Sequence, residues 1–322
     1  MAGQHVLVTG GAGFIGSHTV EALLAAGHRV TVLDDFSTGR RENLAAVAGE
    51  PGLVVVEGDA TQAIGPQLAS VLETWGAPTH IVHLAAQVSV ALSMSAPLDD
   101  LTRNLIATLR VLDFAREHGV RRTVFASSAA TYGEGPQPAH EGMGCAPLSP
   151  YGIHKFASEH HLRVFAGLGH GETLSFRFFN VYGPRQSPGS HYAGVISIFI
   201  GRALDGEPLR IFGKGDATRD FVYVGDLVRA VLGGLFGGPG GGEVLNVGTG
   251  VATSVRELAE TVVAVTGSAS PIVEQPARAG DILHSQANVE RIATALGWRP
   301  ESSMSDGLAA TARWLAGQRA PA

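Results

Sequence analysis

The chain has 322 residues, 45% hydrophobic and 16% charged, with a formal net charge of −6. That length suits one large α/β domain with a smaller lobe, given ~100–200 residues for a typical domain, and the composition is that of a folded soluble protein. The acidic balance argues against nucleic acid as a partner, and Cys145, the single cysteine, excludes an intrachain disulfide or a cysteine-based metal cluster and suits a reducing, cytoplasmic setting.

A strand begins within five residues of the N-terminus, and no signal peptide is read before it. His5–Thr9, Arg29–Leu33, Leu53–Glu57, Thr79–His83, Arg121–Ala126 and Glu172–Phe178 read as strands, and apolar residues at helical spacing mark Phe14–Ala26 and Leu98–His118 between them. That rhythm predicts an α/β fold, a Rossmann-type doubly wound parallel sheet, followed by a smaller C-terminal α/β lobe. After about residue 180 the pattern loosens, with Pro184, Pro188 and Gly189 in a loop and Gly233–Gly242 expected as a mobile surface loop. The longest apolar runs, such as Val195–Ile200, are far too short for a bilayer, so no membrane is expected.

The first strand runs into Gly10-Gly11-Ala12-Gly13-Phe14-Ile15-Gly16 and then a helix. Gly10, Gly13 and Gly16 let the backbone approach a pyrophosphate, and the helix N-terminus offers N–H groups with partial positive charge. A glycine triplet alone serves any tight turn; its place between strand and helix points to a dinucleotide. Asp34 ends strand two, about twenty residues on, where a carboxylate accepts from both adenosine ribose hydroxyls and repels a 2′-phosphate, which favours NAD over NADP. Arg40 and Arg41, in the next loop, pull slightly the other way. Asp59 follows strand three, where it can meet the adenine amino group or serve as a turn aspartate capping the next helix.

Ser149-Pro150 opens a helical segment in which Tyr151 and Lys155 stand four apart and share a face. An ammonium beside the phenol is expected to lower its pKa from about 10, as a general base near neutral pH requires; the same spacing also arises in many helices for structural reasons. Ser128 follows the fifth strand, where its hydroxyl can hold a reacting oxygen.

Together with Asn104, these residues resemble the extended short-chain dehydrogenase/reductase family, and from end to end the chain is similar to its UDP-galactose (UDP-glucose) 4-epimerase branch. The resemblance implies an NAD-binding domain over 1–180 and a mainly sugar-nucleotide-binding lobe over 181–322, with about 220–250 returning to the first. It implies that Tyr151 is the acid/base, that Lys155 holds the nicotinamide ribose and tunes Tyr151, and that Ser128 orients the sugar hydroxyl. Around NAD it adds Phe14, Ile15, Ala60, Leu84, Ala85, Ala86, Asn104 and Phe178 to the glycines, Asp34 and Asp59. In the family's 4,6-dehydratases an Asp-Glu or Ser-Glu pair follows the active-site hydroxyl and removes water across C5 and C6; here those places are Ala129 and Ala130, neither of which transfers a proton. Thr131, where the epimerases usually carry valine, reads as a packing variation.

For the substrate the resemblance implies Asn180 and Val195 at the diphosphate, Arg219 and Arg278 as its clamp, Ile211 and Phe212 under the uracil, and Asp281 at the uridine ribose. A guanidinium fork suits phosphate oxygens, although a surface arginine can equally pair with a nearby aspartate. Ser285 stands at the gatekeeper position beside the sugar 2-position, where a small residue admits an N-acetyl group without requiring one. The implied activity is NAD-dependent epimerisation at C4 of UDP-glucose and UDP-galactose, with N-acetylhexosamine or glucuronate nucleotides as alternatives. A net oxidoreductase and a non-catalytic NAD sensor are the rivals; the presence of Ser128, Tyr151 and Lys155 weighs against the second. His80 and His83 should face opposite sides of a strand, and no metal is expected. Helices over Leu98–His118 and Tyr151–Phe165 resemble those of a family dimer interface, so a homodimer is expected.

Overall fold

The computed structural model describes residues 3–186, 194–276 and 283–319. Its strands are β1 (His5–Thr9), β2 (Arg29–Asp34), β3 (Leu53–Glu57), β4 (His80–His83), β5 (Arg122–Ser128), β6 (Glu172–Phe178), β7 (Asn180–Tyr182), β8 (Leu209–Phe212), β9 (Thr218–Arg219), β10 (Phe221–Tyr223), β11 (Gly241–Val247), β12 (Thr253–Ser254) and β13 (Ile272–Gln275). The helices are α1 (Phe14–Ala25), α2 (Ile64–Gln67), α3 (Ala69–Trp75), α4 (Val90–Ser95), α5 (Pro97–Leu101), α6 (Ala107–Glu117), α7 (Pro150–Gly167), α8 (Val195–Leu204), α9 (Val224–Phe236), α10 (Val255–Thr266), α11 (Glu290–Leu296) and α12 (Met304–Gly317).

Seven strands form one sheet in the order β11-β6-β5-β4-β1-β2-β3, every pair parallel. The order reverses between β1 and β4, the crevice where open parallel sheets bind ligands at their carboxyl ends. Strand alternation sends Val6, Val8, Val30 and Val32 to one face with Val20 and Leu23 of α1 and Leu227 and Val231 of α9. Leu7, Leu33 and Ile81 go to the other, with Val111 and Phe114 of α6 and Leu162 and Phe165 of α7. His80 and His83 divide accordingly: His83 bonds Thr9 and Thr108, whereas the His80 ring leans on Phe236 of α9. A third apolar cluster, separate from the sheet's two, joins Phe199 of α8, Ile211 of β8, Leu258 of α10 and Leu308 of α12.

Two sequence expectations are refined. Of Gly233–Gly242 only the middle, 237–240, is a loop: Gly233 and Gly234 lie in the last turn of α9, and Gly241 and Gly242 begin β11. A Cβ on Gly234 would lie 2.5 Å from the Phe176 ring, so glycine there lets the helix settle against β6. The expected helix over Leu98–His118 is continuous but carries a π-helical turn over Thr102–Ile106 between α5 and α6. The turn draws Asn104 inward, where its Nδ2 donates to Asp100 Oδ1 and to the Gln87 carbonyl, both at 3.0 Å.

Candidate active site

At the end of β1 the chain turns through Gly10, whose φ of 71° favours glycine. A Cβ on Gly16 would fall 2.0 Å from the Gly10 carbonyl oxygen, and one on Gly10 would fall 2.7 Å from the Ala85 nitrogen, so the glycine loop closes tightly against the Leu84–Ala86 segment. Gly13 precedes α1 without a side-chain cap, and the first turn carries no acidic residue, which leaves its N–H groups and partial positive charge for an anion. Asp34 lies buried across this loop; Oδ2 accepts from Ala12 N at 2.8 Å and Oδ1 from Phe36 N at 2.9 Å. Burial raises its pKa, and the two N–H donors oppose the rise. Arg41 is engaged by Glu57 and covers the Phe36 ring, so it is not directed at Asp34. Asp59 bonds the Thr61 amide and hydroxyl at 2.8 and 2.7 Å, which is the turn-aspartate role; Ala60 beside it is buried.

These residues fit a dinucleotide. The loop has no room for side chains, the α1 terminus is uncapped, and Asn104 adds a buried Oδ1 acceptor without a protein partner.

Ser128 is the last residue of β5, two residues further along the strand than its pattern predicts, and its hydroxyl accepts from Ala130 N at 3.2 Å. Thr131 is buried, and its hydroxyl donates to the Ser128 carbonyl at 2.9 Å, a bond that valine could not make. Ser149 caps α7 by accepting from Gly152 N, and Pro150 takes the first helical position, which sets Tyr151 and Lys155 on the buried face.

The electrostatic expectation for this pair is overturned. Burial pushes the Tyr151 phenol up to about 12; the Ser128 hydroxyl pulls it down, and the Asp100 carboxylate raises it further. Lys155 does not relieve it. Its Nζ lies 5.8 Å from the Tyr151 ring centre and donates to the Ala126 carbonyl at 2.9 Å, and burial brings its own pKa down to about 7. In the protein alone burial therefore works against both the phenolate of Tyr151 and the ammonium of Lys155.

Ser128, Phe178, Asn180, Arg219 and Ser285 meet on one cavity of about 370 Å³, with Ala129 and Ala130 between them. Arg219 Nη1 donates to the Thr218 carbonyl at 2.8 Å, and Ser285 N donates to the same oxygen at 3.2 Å, which ties the Ser285 segment to β9. Val195 heads α8 beside the third cluster and is not on this wall. On β8 alternation buries Ile211 completely and leaves Phe212 39% exposed, so of the two only Phe212 offers a ring to a ligand. Arg278 and Asp281 lie outside the described residues, as do Pro188 and Gly189. Sequence reasoning missed Gln137 and His284, which also line the cavity. His284 adjoins Ser285 and was open to discovery; Gln137 lies in a stretch without periodicity. It also missed Asp100, hidden by reading α5 and α6 as one amphipathic helix.

Fold and site together define a dinucleotide-binding α/β enzyme of the short-chain dehydrogenase/reductase type. The chain belongs to the NAD dependent epimerase/dehydratase family, whose model matches residues 6–248. It is similar to the UDP-glucose 4-epimerase of Mycolicibacterium smegmatis, 41% identical over 315 residues that cover 97% of this chain and 98% of that protein. Among solved structures it resembles the UDP-glucose 4-epimerase of Thermotoga maritima with UDP-glucose, with a TM-score of 0.90 and 37% identity, covering 98% of this chain and 99% of that one. It also resembles the UDP-N-acetylglucosamine 4-epimerase of Methanobrevibacter ruminantium M1 in complex with UDP-N-acetylmuramic acid, with a TM-score of 0.92 and 33% identity, covering 99% and 100%.

Proposed function

We propose that this chain interconverts UDP-glucose and UDP-galactose by NAD-dependent epimerisation at C4, through a transient 4-keto sugar. The observation that carries the reading is the run Ser128-Ala129-Ala130 on the cavity wall. A hydroxyl is there to hold a sugar oxygen, and the two alanines after it cannot move the second proton that dehydration across C5 and C6 requires.

NAD, when bound, supplies the hydride acceptor and the positive charge of its nicotinamide. Gly10, Gly13, Phe14, Ile15 and Gly16 would hold its pyrophosphate, Asp34 the adenosine ribose, and Asp59 and Ala60 the adenine. Leu84, Ala85, Ala86, Asn104, Tyr151, Lys155 and Phe178 would hold the nicotinamide half. Tyr151 takes the proton of the sugar 4-hydroxyl and later returns it. Since burial holds the phenol at about 12, it works as a base only when added positive charge offsets that burial. Ser128 keeps the reacting oxygen in line. Arg219 and Arg278, with Asn180 and Val195, would clamp the diphosphate, Phe212 with the Ile211 backbone would support the uracil, and Asp281 the uridine ribose. The anchor holds the nucleotide while the sugar stays free to turn between loss and return of its C4 hydrogen.

Assays on UDP-glucose, UDP-galactose, UDP-GlcNAc and UDP-glucuronate test this. Turnover of the first two, abolished by Tyr151→Phe with NAD binding retained, is expected; full activity of Y151F overturns it. A second reading, epimerisation of UDP-GlcNAc, is favoured by the small Ser285 on the cavity wall and by the likeness to a UDP-N-acetylglucosamine 4-epimerase. Turnover of UDP-GlcNAc without that of UDP-glucose would establish it.

We assign 1–180 to an NAD-binding domain and 181–322 mainly to a sugar-nucleotide lobe built on the third apolar cluster, with α9 and β11 returning to the sheet. We assign the contact of a homodimer to the exposed Met94 of α4, Leu98 of α5 and Ile153 and Val164 of α7, checked by sedimentation. No described helix is long and apolar enough to cross a membrane; with Cys145 as the sole cysteine, we assign the chain to the cytoplasm.

A further inference from the structure

Asp100 on α5 is fully buried, and three side chains converge on it. Oδ1 accepts from Gln87 Nε2 at 2.7 Å and Asn104 Nδ2 at 3.0 Å, and Oδ2 accepts from His154 Nδ1 at 2.6 Å. A carboxylate only accepts, so these bonds fix the hydrogen of His154 on Nδ1 and the amino side of the Asn104 amide toward Asp100. The amide oxygen of Asn104 is thereby left as the buried acceptor without a partner. His154 immediately precedes Lys155 on α7 and lies three residues after Tyr151.

A buried carboxylate costs free energy that an apolar side chain would not. What it does follows from its neighbours. On α7 the titratable side chains near it are Tyr151, His154, Lys155 and Glu159. From β4 the buried His83 faces Lys155 and is held neutral, its pKa brought down to about 3 by burial and by the ammonium. On the exposed side Asp99 is paired with Arg103, which also reaches Asp35. Two carboxylates favour the charged form of Lys155, Asp100 first and Glu159 second. Glu159 is already committed to Arg177 by two bonds, at 2.9 and 2.6 Å. Of the two, Asp100 is the one with no arginine on it among the described residues.

We propose that Asp100, locked by His154, Gln87 and Asn104, is a positioning residue for the Tyr151–Lys155 pair: its buried charge holds the Lys155 ammonium, and its Oδ1 turns the Asn104 amide so that an acceptor faces away from the network. The proposal rests on the reading of Tyr151 and Lys155 given above.

The chain has only two lysines, Lys155 and Lys214, so ε-carbon-labelled lysine gives two NMR signals that Lys214→Arg assigns. The Lys155 titration midpoint is read in the full chain, before and after saturation with NAD. Asp100→Asn, which keeps the shape and removes the charge, is expected to weaken proton binding at Lys155 at least threefold, with the Lys214 signal unmoved. His154→Gln, which leaves the carboxylate charged beside a neutral donor, is expected to leave the Lys155 midpoint at or above the wild-type value. A D100N midpoint at or above wild type, or less than threefold below it, or an H154Q midpoint below wild type, overturns the proposal; if D100N does not fold, Asp100→Ser, which also removes the charge, is read in its place by the same criterion. A purely structural Asp100 would lower stability in both variants without moving the lysine. A wild-type chain that fails to bind NAD would sink the functional reading instead, and this titration would still report on Asp100.

Discussion

Lys155 should destabilise the fold it serves. Its pKa falls from the ordinary 10.5 to about 7 because burial opposes the charged form. At ~1.4 kcal/mol per tenfold change in proton affinity, that fall corresponds to at most ~5 kcal/mol. Below pH 7 both folded and unfolded chains carry the proton, and the folded state bears the full cost. Between about 7 and 10.5 the folded chain sheds it while the unfolded chain keeps it, so stability climbs with pH, and above that range the cost is gone. Lys155→Met removes the charge at similar length and forfeits one hydrogen bond to the Ala126 carbonyl, worth ~1 kcal/mol. The NAD-free K155M chain should therefore be about 3–4 kcal/mol more stable than wild type at pH 6.5, by urea denaturation, and no more stable at pH 10. It should also be inactive. An equal or lower stability at pH 6.5, or a difference that does not change with pH, refutes the reasoning.

Gly16→Ala should cost ~1–3 kcal/mol, because the added carbon meets backbone at Gly10 and Gly11 rather than a flexible side chain; NAD released on denaturing the purified protein should fall with it. Gly49→Ala, where nothing lies within 4 Å of the new carbon, should change neither. Glu159→Gln should destabilise by ~3–5 kcal/mol in denaturant titration, since it leaves Arg177 of β6, with a side chain 4% exposed, as an uncompensated buried charge. A loss below ~1 kcal/mol would show that water or another group reaches Arg177.

The sheet was legible because its signals are local. β-branched runs, a glycine turn between strand and helix, and the Ser149-Pro150 start of α7 act over a few residues, and tertiary packing did not override them. What was hidden depended on partners far away in the chain. Gly234 looks like a loop residue until the Phe176 ring is set against it. The π-helical turn at Asn104 is invisible until Gln87 and Asp100 receive its amide. The Tyr151–Lys155 pair was recognised from spacing, but spacing carries no information about burial, and burial reverses the expected effect on the phenol. On β8 the two candidate uracil contacts were adjacent, and strand alternation alone would have separated Ile211 from Phe212.

In the proposed reaction the C4 hydrogen of the sugar leaves and returns as hydride without meeting solvent. Converting UDP-glucose to UDP-galactose in deuterium oxide and reading the product by proton NMR tests it directly. C4 should keep its protium throughout conversion; deuterium accumulating at C4 with turnover would rule this route out.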